Sequence, residues 1–364
     1  MKNIIKGIII FLLLPGAVFS IEWIPDRTKT EAETELGWLV APMPVNVEGI
    51  GFTVPIAGVF SNFYKTTDLL LVAPFIKGDI ESKLLSIYKL PLYQDSLFFT
   101  FNYYELLTGF RNYDRGIDSE ENDYYQTLEK TDSTTFRLQT QLWDQRFEFQ
   151  LGYSYGKADI QKIYDADGNY FSNIQSPERN WIDNIIGTQI DLTDNHFDPH
   201  QGFRLGLLHS STNYGPELLS DYAVNDLNAS FYFPFFKNDT LLFNYFQSQS
   251  VVTSSGTIDQ TILGQKLGLG CDLENKQKLC ETAENRRLQY WLERNKQGKA
   301  SALGGLNRLR AYSYNRFFAK NSVNYTLEYR LNFSEKTTPI NWIFLGGVKT
   351  VLQTAFFYES GGVS

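Results

Sequence analysis

An almost strict alternation of apolar and polar side chains near the end of the chain is the feature that most constrains its fold. One row of this stretch consists of Val323, Tyr325, Leu327, Tyr329, Leu331 and Phe333. The other row consists of Asn324, Thr326, Glu328, Arg330 and Asn332. A period of two indicates a β-strand with one apolar and one polar face. Because the polar face carries charges, it needs a wet interior, and the pattern favours a membrane barrel that is apolar outside and polar inside.

The beginning of the chain has the composition of a secretory signal. Lys2 and Lys6 precede the apolar run Ile8–Leu14, and a short segment with small residues ends at Ser20. This run is too short to cross a bilayer, and no other segment approaches the ~20 apolar residues that a spanning helix needs. We therefore expect an exported chain with a signal peptide at residues 1–20 and no transmembrane helix. An N-terminal membrane anchor is the alternative interpretation.

The composition agrees with an exported β-barrel. The sequence contains 22 Tyr, 28 Phe and 6 Trp, 15% of its residues, although its mean hydropathy is −0.28. Barrels combine aromatic girdles and an apolar outer band with a polar lumen. A secreted β-sandwich is an alternative, but it would not need so many long alternating strands. The formal net charge is −8, or −10 without Lys2 and Lys6, and no Lys/Arg cluster offers nucleic acid a surface to bind.

Thirteen segments carry strand patterns, and their connections alternate in length. The segments are 36–46, 48–60, 68–76, 80–91, 95–107, 136–142, 147–156, 181–193, 203–212, 222–234, 240–252, 321–333 and 342–358. The long connections are 108–133, 157–180 and 253–320, and the short ones are 92–95, 143–146, 194–202 and 235–239. Barrels have short periplasmic turns and longer external loops, so the alternation sorts the two sides without conflict. We expect residues 21–35 to be a short periplasmic segment and 36–364 to be the barrel domain.

Three short motifs follow one another in the second half of the chain. The first is a Gly-Gly loop with an arginine at its tip, made of Gly304, Gly305, Leu309, Arg310 and Tyr312, before a strand that carries Glu328. The second is a turn made of Asp194, Asn195, Pro199 and Gly202, and the third is the aromatic segment Phe356–Gly361 with its acid Glu359. In this order, over about half of the chain, they resemble the bacterial surface antigen family, the outer-membrane insertase and translocation barrels of the BamA/TamA type. Ala311 stands where that family usually has Gly, and Glu359 where it usually has Asp.

This resemblance implies a barrel of sixteen strands whose long sixth external loop folds back into the lumen. It also implies that Arg310 pairs with inward carboxylates, which here would be Glu328 and Glu359. The alternation places both carboxylates in the lumen rows of their strands, and an arginine fork matches a carboxylate with two hydrogen bonds. A solvated charge at Arg310 is one alternative, and an ordinary ladder of lumen charges at Glu328 and Arg330 is another. Arg308, two residues before the tip, is expected to matter little.

Two features depart from that family. Ile21–Glu35 is too short for the periplasmic transport-associated (POTRA) domains of such proteins, because even ~40 residues are marginal for independent folding. Thirteen is an odd number of strands, and Glu359–Ser364 does not form the aromatic-terminated strand with which such barrels normally end. We therefore expect a barrel that lacks its last strands and is open between its first and last strands. Its natural gene is expected to continue for about 50–80 residues.

No side-chain set points to catalysis. A nucleophile elbow, a phosphate loop and a Cys–His cluster are all missing from the sequence, so we expect neither an enzyme nor a bound cofactor or metal. His196 and His200 have the spacing of a helical ligand pair, but the proline and glycine of this segment favour a polar turn. Cys271 and Cys280 are expected to form a local disulfide in an oxidising compartment, with free thiols as the alternative.

Two functions on the same fold stay open. The first is an insertase-type barrel that assists protein insertion or translocation at the bacterial outer membrane, among outer-membrane lipid and lipopolysaccharide, with unfolded outer-membrane or exported proteins as clients. Pro42 and Pro44 favour it, because proline removes hydrogen-bond donors and would loosen the seam with the last strand. The second is a passive pore or structural barrel, because a fold does not determine a function. A secreted adhesin-like β protein is a further alternative.

Overall fold

The structure is a computed structural model that describes most of the chain beyond its first residues. The described residues are 24–27, 36–42, 45–47, 51–54, 56–62, 70–72, 75–76, 82–94, 96–113, 124–165, 169–171, 178–215, 218–234, 236, 239–269 and 277–364. The expected signal peptide at 1–20 and Cys271 lie outside these ranges, as does most of the expected periplasmic segment 21–35.

The described chain is built from β-strands and two helices. The strands are β1 (Gly37–Pro42), β2 (Val45–Val47), β3 (Gly51–Thr53), β4 (Ile56–Ser61), β5 (Leu70–Val72), β6 (Phe75–Ile76), β7 (Ser82–Tyr93), β8 (Leu97–Tyr113), β9 (Tyr124–Leu142), β10 (Phe147–Asp165), β11 (Tyr170–Phe171), β12 (Arg179–Thr193), β13 (Gly202–Asn213), β14 (Asp221–Pro234), β15 (Asp239–Ser254), β16 (Asn321–Trp342) and β17 (Leu345–Val363). The helices are α1 (Gln260–Leu267) and α2 (Gln277–Gln297). No helix within the described ranges is long and apolar enough to cross a membrane.

Fifteen of the strands join into one antiparallel sheet, and β2 and β3 pair separately with each other. From β7 onward each long strand pairs with the next, in the order β7, β8, β9, β10, β12, β13, β14, β15, β16 and β17. β11 is a short addition to β10, and β6 lies beside β7 just after β5. The remaining thirteen strands correspond one to one to the thirteen predicted segments, so the antiparallel all-β fold expected from the sequence is confirmed.

Several strands are longer than the sequence pattern predicted. β8 and β9 both extend into the expected loop 108–133, and β10 extends into the expected loop 157–180. In these parts the strands carry charges on both faces, so the alternation of apolar and polar residues fades. The backbone pairing nevertheless continues, and cross-strand ion pairs support it, such as the 2.9 Å contact between Lys130 and Glu105.

The connection between the last two strands is shorter than expected. β16 continues through residues 334–341, where its register with β17 shifts, and the turn contains only Ile343 and Phe344. β17 in turn continues past its predicted end at 358 to Val363. The side chain of Glu359 therefore belongs to a strand, not to the segment after one.

The first and last strands meet over a short distance. β1 pairs with β17 only at Trp38↔Gly346 and Leu39↔Leu345, whereas β1 pairs with β4 over its whole length. Beyond these two pairs β17 has no second strand partner among the described residues, so the sheet is not closed along the rest of this strand. The expected opening between the first and last strands is therefore present along most of β17 but not at Trp38 and Leu39.

The two faces of the sheet differ in polarity as the sequence predicted. On β16, Tyr325 and Leu327 are 46% and 49% exposed, whereas Asn324 and Glu328 are buried on the opposite face. β9 and β10 show the same division, with exposed apolar side chains on one face and, on the other, the buried Gln139 and Gln141 of β9 and the buried Ser154 of β10. We call the polar face the inner face, the short connections the turn end, and the opposite edge the loop end.

The connection 255–320 is named the inner loop, and its described parts, 255–269 and 277–320, return along the inner face. The sequence predicted a long connection at 253–320 without naming any helix in it, and the structure adds α1 and α2. Asp259 caps α1 by accepting a hydrogen bond from the Thr261 amide at 2.8 Å. Apolar residues of both helices pack together with strand connections in a cluster of Leu219, Leu263, Leu267, Leu288 and Trp291. The apolar surface buried in this cluster holds the two helices of the long connection in one position.

Candidate functional site at the tip of the inner loop

The tip of the inner loop is attached to the sheet through Arg310. Its Nε donates a hydrogen bond to Glu359 at 3.0 Å, and its Nη2 donates one to Glu328 at 2.8 Å. Its backbone amide also donates to Glu359, at 2.7 Å, and its guanidinium carbon lies 3.6 Å from the ring centre of Phe357. One arginine thus bridges adjacent strands, because Glu328 belongs to β16 and Glu359 to β17.

The two carboxylates are well shielded from solvent. Their side chains are 7% and 5% exposed, against 26% for Arg310. Glu328 also accepts a hydrogen bond from Arg330 at 2.7 Å, and Glu359 accepts one from Thr326 at 3.3 Å. Charged groups buried in this way are stable only when they are paired, so the site depends on the loop tip staying in place.

Backbone geometry shapes the tip. Gly304 and Gly305 have φ angles of 103° and 116°, in the region that side chains other than glycine rarely adopt. A Cβ on Gly304 would lie 2.3 Å from the carbonyl oxygen of Ser313. Hydrogen bonds from the Gly304 amide to Arg308 (3.0 Å) and from the Gly305 amide to Tyr312 (3.1 Å) close the turn. The two glycines therefore allow the tight bend that presents the arginine.

Two residues near the tip differ from expectation. Tyr312 packs its ring edge-on against Phe317, with centroids 5.0 Å apart, rather than joining the carboxylates. Arg308 was expected to matter little, yet its guanidinium carbon lies 3.4 Å from the ring centre of Phe246 on β15. A cation over an aromatic face is attracted to it, so Arg308 adds a second contact between loop and sheet.

The loop also reaches the far wall, a contact that no sequence pattern indicates. The hydroxyl of Tyr113, at the end of β8, lies 3.0 Å from that of Ser313. The guanidinium carbon of Arg316 lies 4.5 Å from the ring centre of Tyr113. Seven steps along the sheet separate β8 from β16, so the tip is held on opposite sides of the space inside the sheet.

The helical part of the inner loop has its own attachment. Asn295, which is 3% exposed, accepts a hydrogen bond from the Ser220 amide at 2.8 Å. Its amide group donates to the carbonyls of Leu218 (2.9 Å) and Thr257 (2.7 Å). A single side chain thus binds three backbone groups and joins the end of α2 to the connection before β14 and to the start of the inner loop.

Cations surround a tyrosine beside Asn295. Arg294 donates a hydrogen bond to the Tyr290 hydroxyl at 3.2 Å, and the Lys299 ammonium lies 5.4 Å from the Tyr290 ring centre. Burial by itself opposes ionisation of Tyr290, but Lys299, Arg294 and Arg179 outweigh it and lower the pKa of the phenol to about 8.

The turn predicted from Asp194, Asn195, Pro199 and Gly202 is built around two side-chain acceptors. Asp194 accepts from the amides of His200 (2.9 Å) and Gln201 (3.0 Å). Asn195 accepts from the amides of Phe197 (2.9 Å) and Asp198 (3.1 Å). Pro199 is buried, and Gly202 has a φ angle of 113°. The four residues therefore act together to shape one turn between β12 and β13.

The two histidines of this turn have different partners. His196 Nδ1 lies 2.9 Å from Asp191, whereas His200 Nε2 lies 3.0 Å from the amide nitrogen of Asn332. His209 lies on β13, where its Nδ1 is 2.8 Å from Asn225.

Cys280 lies on α2 and is disulfide-bonded and buried. It packs in a cluster with Tyr125, Ile160, Ile163, Leu269 and Ala283. Cys271, its expected partner, lies outside the described residues, so the pairing stays a prediction.

Comparisons with known proteins give structural likeness only. No protein-family model and no curated protein sequence matches the chain. Among solved structures, it is similar to BamA from Haemophilus ducreyi lacking POTRA domains 1–3, with 13% identity and a TM-score of 0.42 over 84% of this chain and 55% of that one. It is similar to CdiB from Acinetobacter baumannii, with 11% identity and a TM-score of 0.43 over 90% of this chain and 50% of that one. It is also similar to CdiB from Escherichia coli, with 10% identity and a TM-score of 0.43 over 92% of this chain and 63% of that one. The chain thus spans between 50% and 63% of the length of these structures.

Proposed function

We propose that this chain is an outer-membrane barrel of the insertase and translocation superfamily, which assists protein insertion or translocation at the outer membrane. The observation that carries the proposal is the contact of Arg310 with Glu328 and Glu359. The sequence resemblance implies this contact between a loop-tip arginine and two inward carboxylates, and a solvated loop arginine would not make it.

The outer surface of the sheet supports a membrane location. Apolar side chains cover the outer face, and each described short turn from β7 onward carries or adjoins an exposed aromatic residue. These residues are Tyr93, Trp143, Phe197, Phe236 and Trp342, between 58% and 80% exposed. A ring of aromatic residues at one edge of an apolar band is typical of barrels at the boundary between lipid and water. We place this edge at the periplasmic side.

The short seam between β1 and β17 favours an insertase rather than a barrel whose wall does not open. Only two residue pairs and the bond from the Val40 amide to the Phe344 carbonyl (2.8 Å) join the two strands. Longer ladders join β16 to β15 and to β17. The ladders of β5 with β4 and with β7 are also short, at three pairs each among the described residues, but the seam is shorter still. The wall therefore separates at the seam at the lowest cost, since few backbone hydrogen bonds break there.

A passive pore is the second candidate, and the polar inner face favours it. Against an open pore stands the inner loop, which Arg310 and Tyr113 hold on opposite sides of the enclosed space. On this arrangement a pore would conduct only after the loop had moved.

The test reconstitutes the full chain in liposomes of phospholipid and lipopolysaccharide and measures the folding rate of an unfolded client barrel. The protein should accelerate folding. A disulfide between Leu39→Cys and Leu345→Cys, which are partners across the seam, should remove the acceleration until reductant is added. Ion conductance without acceleration would support the pore. If the protein showed neither conductance nor acceleration, both proposals would be contradicted.

A further inference from the structure

A buried carboxylate at the turn end is surrounded by two arginines and a histidine. Asp191 lies on the inner face of β12 and is fully buried. It accepts hydrogen bonds from Arg204 at 2.8 Å and from the Thr193 amide at 3.1 Å, and His196 Nδ1 lies 2.9 Å from it. The second arginine is Arg27, whose Nη1 lies 3.4 Å from the carboxylate.

Arg27 comes from the described piece of the N-terminal segment, Ile24–Arg27, and not from the sheet. Its guanidinium donates to the carbonyl of Asp144 at 3.2 Å and to the carbonyl of Thr193 at 3.3 Å. In return, Arg146 donates to the carbonyl of Pro25 at 2.6 Å. The side chain of Arg27 is only 6% exposed. The guanidinium is therefore buried against the sheet, and the sheet also binds the backbone that precedes it.

The position of this contact makes it consequential. Gly37, the first residue of β1, lies only ten residues after Arg27 in the sequence. Asp191, however, belongs to β12, and β17, β16, β15, β14 and β13 lie between β1 and β12 along the sheet. The segment is therefore attached to a part of the sheet remote from its own first strand, at the edge that carries the short turns.

We propose that the Asp191 carboxylate and the carbonyls of Asp144 and Thr193 form a guanidinium-binding site at the turn end, beside which Arg146 holds the backbone of the bound segment. Its occupant is the chain's own N-terminal segment, so that Ile24–Arg27 is a strap closing this end of the lumen. The site is specific for arginine, because one planar fork satisfies a carboxylate and two carbonyls together. On the proposed function, the strap leaves its site before a protein segment enters from the periplasm.

Tryptic cleavage after Arg27 in the folded full chain tests the docking without requiring any client activity. We expect slow cleavage in the wild type and a rate about tenfold higher in Asp191→Asn, since a lost charged hydrogen bond is worth at least this factor. Asp198→Asn makes the same charge change in the same turn at a half-exposed side chain, and should cleave like the wild type. Because Asp191 also holds Arg204, Arg146→Ala serves as a second variant that leaves this carboxylate in place. Equal rates in the wild type, Asp191→Asn and Arg146→Ala would overturn the site.

Planar-bilayer conductance tests the closing role. Arg27→Gln should increase the current through the reconstituted protein, whereas Asp26→Asn, beside it but exposed, should not. Equal currents in the wild type and Arg27→Gln overturn the strap as a closure even if the protease result stands. Failure to accelerate client folding would contradict the proposed function without affecting either result.

Discussion

Replacing Arg310 by alanine should release the tip of the inner loop. The guanidinium makes two charged hydrogen bonds, to Glu359 at 3.0 Å and to Glu328 at 2.8 Å. Such bonds contribute about 1.5–3 kcal/mol each, and the 26% exposure of the arginine side chain places them at the low end of this range. Arg330 continues to pair with Glu328 in the variant, which limits the loss. We expect a cost of about 3 kcal/mol, a factor of about 100 in the equilibrium between docked and released tip.

Hydrogen exchange of the loop-tip amides measures this equilibrium directly. The amide of residue 310 itself donates to Glu359, so its protection reports whether the tip is docked. Arg310→Lys keeps the charge but has a single nitrogen, and should recover only part of the protection. Lys320→Ala removes an exposed cation from the same loop and is the matched control. Unchanged exchange in Arg310→Ala, or an equal effect of Lys320→Ala, would refute the assignment of the tip's stability to this contact.

Four further outcomes are expected. Gly304→Ala should cost at least about 1–2 kcal/mol, because alanine is strained at its positive φ and meets a backbone oxygen; thermal unfolding of the loop measures this. Leu207→Arg, on the outer face of β13, should lower the yield of folding into liposomes through a cost of about 2–4 kcal/mol, unlike a charge placed on the inner face. The pKa of Tyr290 is about 8 in the folded protein and about 10 in the unfolded chain, so folding is favoured increasingly as the pH rises between these two values. The protease resistance of the inner loop should therefore rise over this pH range, and Tyr290→Phe should abolish the rise. A fall in protease resistance over the same range would contradict the role of the cations around Tyr290. Cys271 and Cys280 should appear linked to each other in a mass spectrum of a non-reduced digest, with a stabilisation of at most about 2–3 kcal/mol, and two alkylatable thiols would rule the bridge out.

The sequence alone was sufficient for the architecture of the strands. Period-two alternation is a local property, so the face of β16 that carries Glu328 could be assigned from residues 323–333 without knowledge of any partner. The Gly-Gly bend and the arginine after it are equally local. The sequence could therefore predict that Arg310 lies at a tip, and the family resemblance suggested which carboxylates it meets. Strand ends were less accurate, because the ladder continues where ion pairs replace the alternation, as at Lys130 and Glu105.

Only the tertiary structure decided which distant residues share a site. Tyr113 and Ser313 are 200 residues apart, and Arg27 and Asp191 are 164 residues apart in numbering yet in contact. Such pairs leave no periodic signal, since their contact depends on how far the sheet curves and where the inner loop crosses it. The helices of the inner loop escaped prediction for a related reason. Their polar sequence has little amphipathic pattern, and they are held by tertiary contacts such as those of Asn295. Local patterns thus determine what each segment is, whereas packing across the enclosed space determines which segments act together.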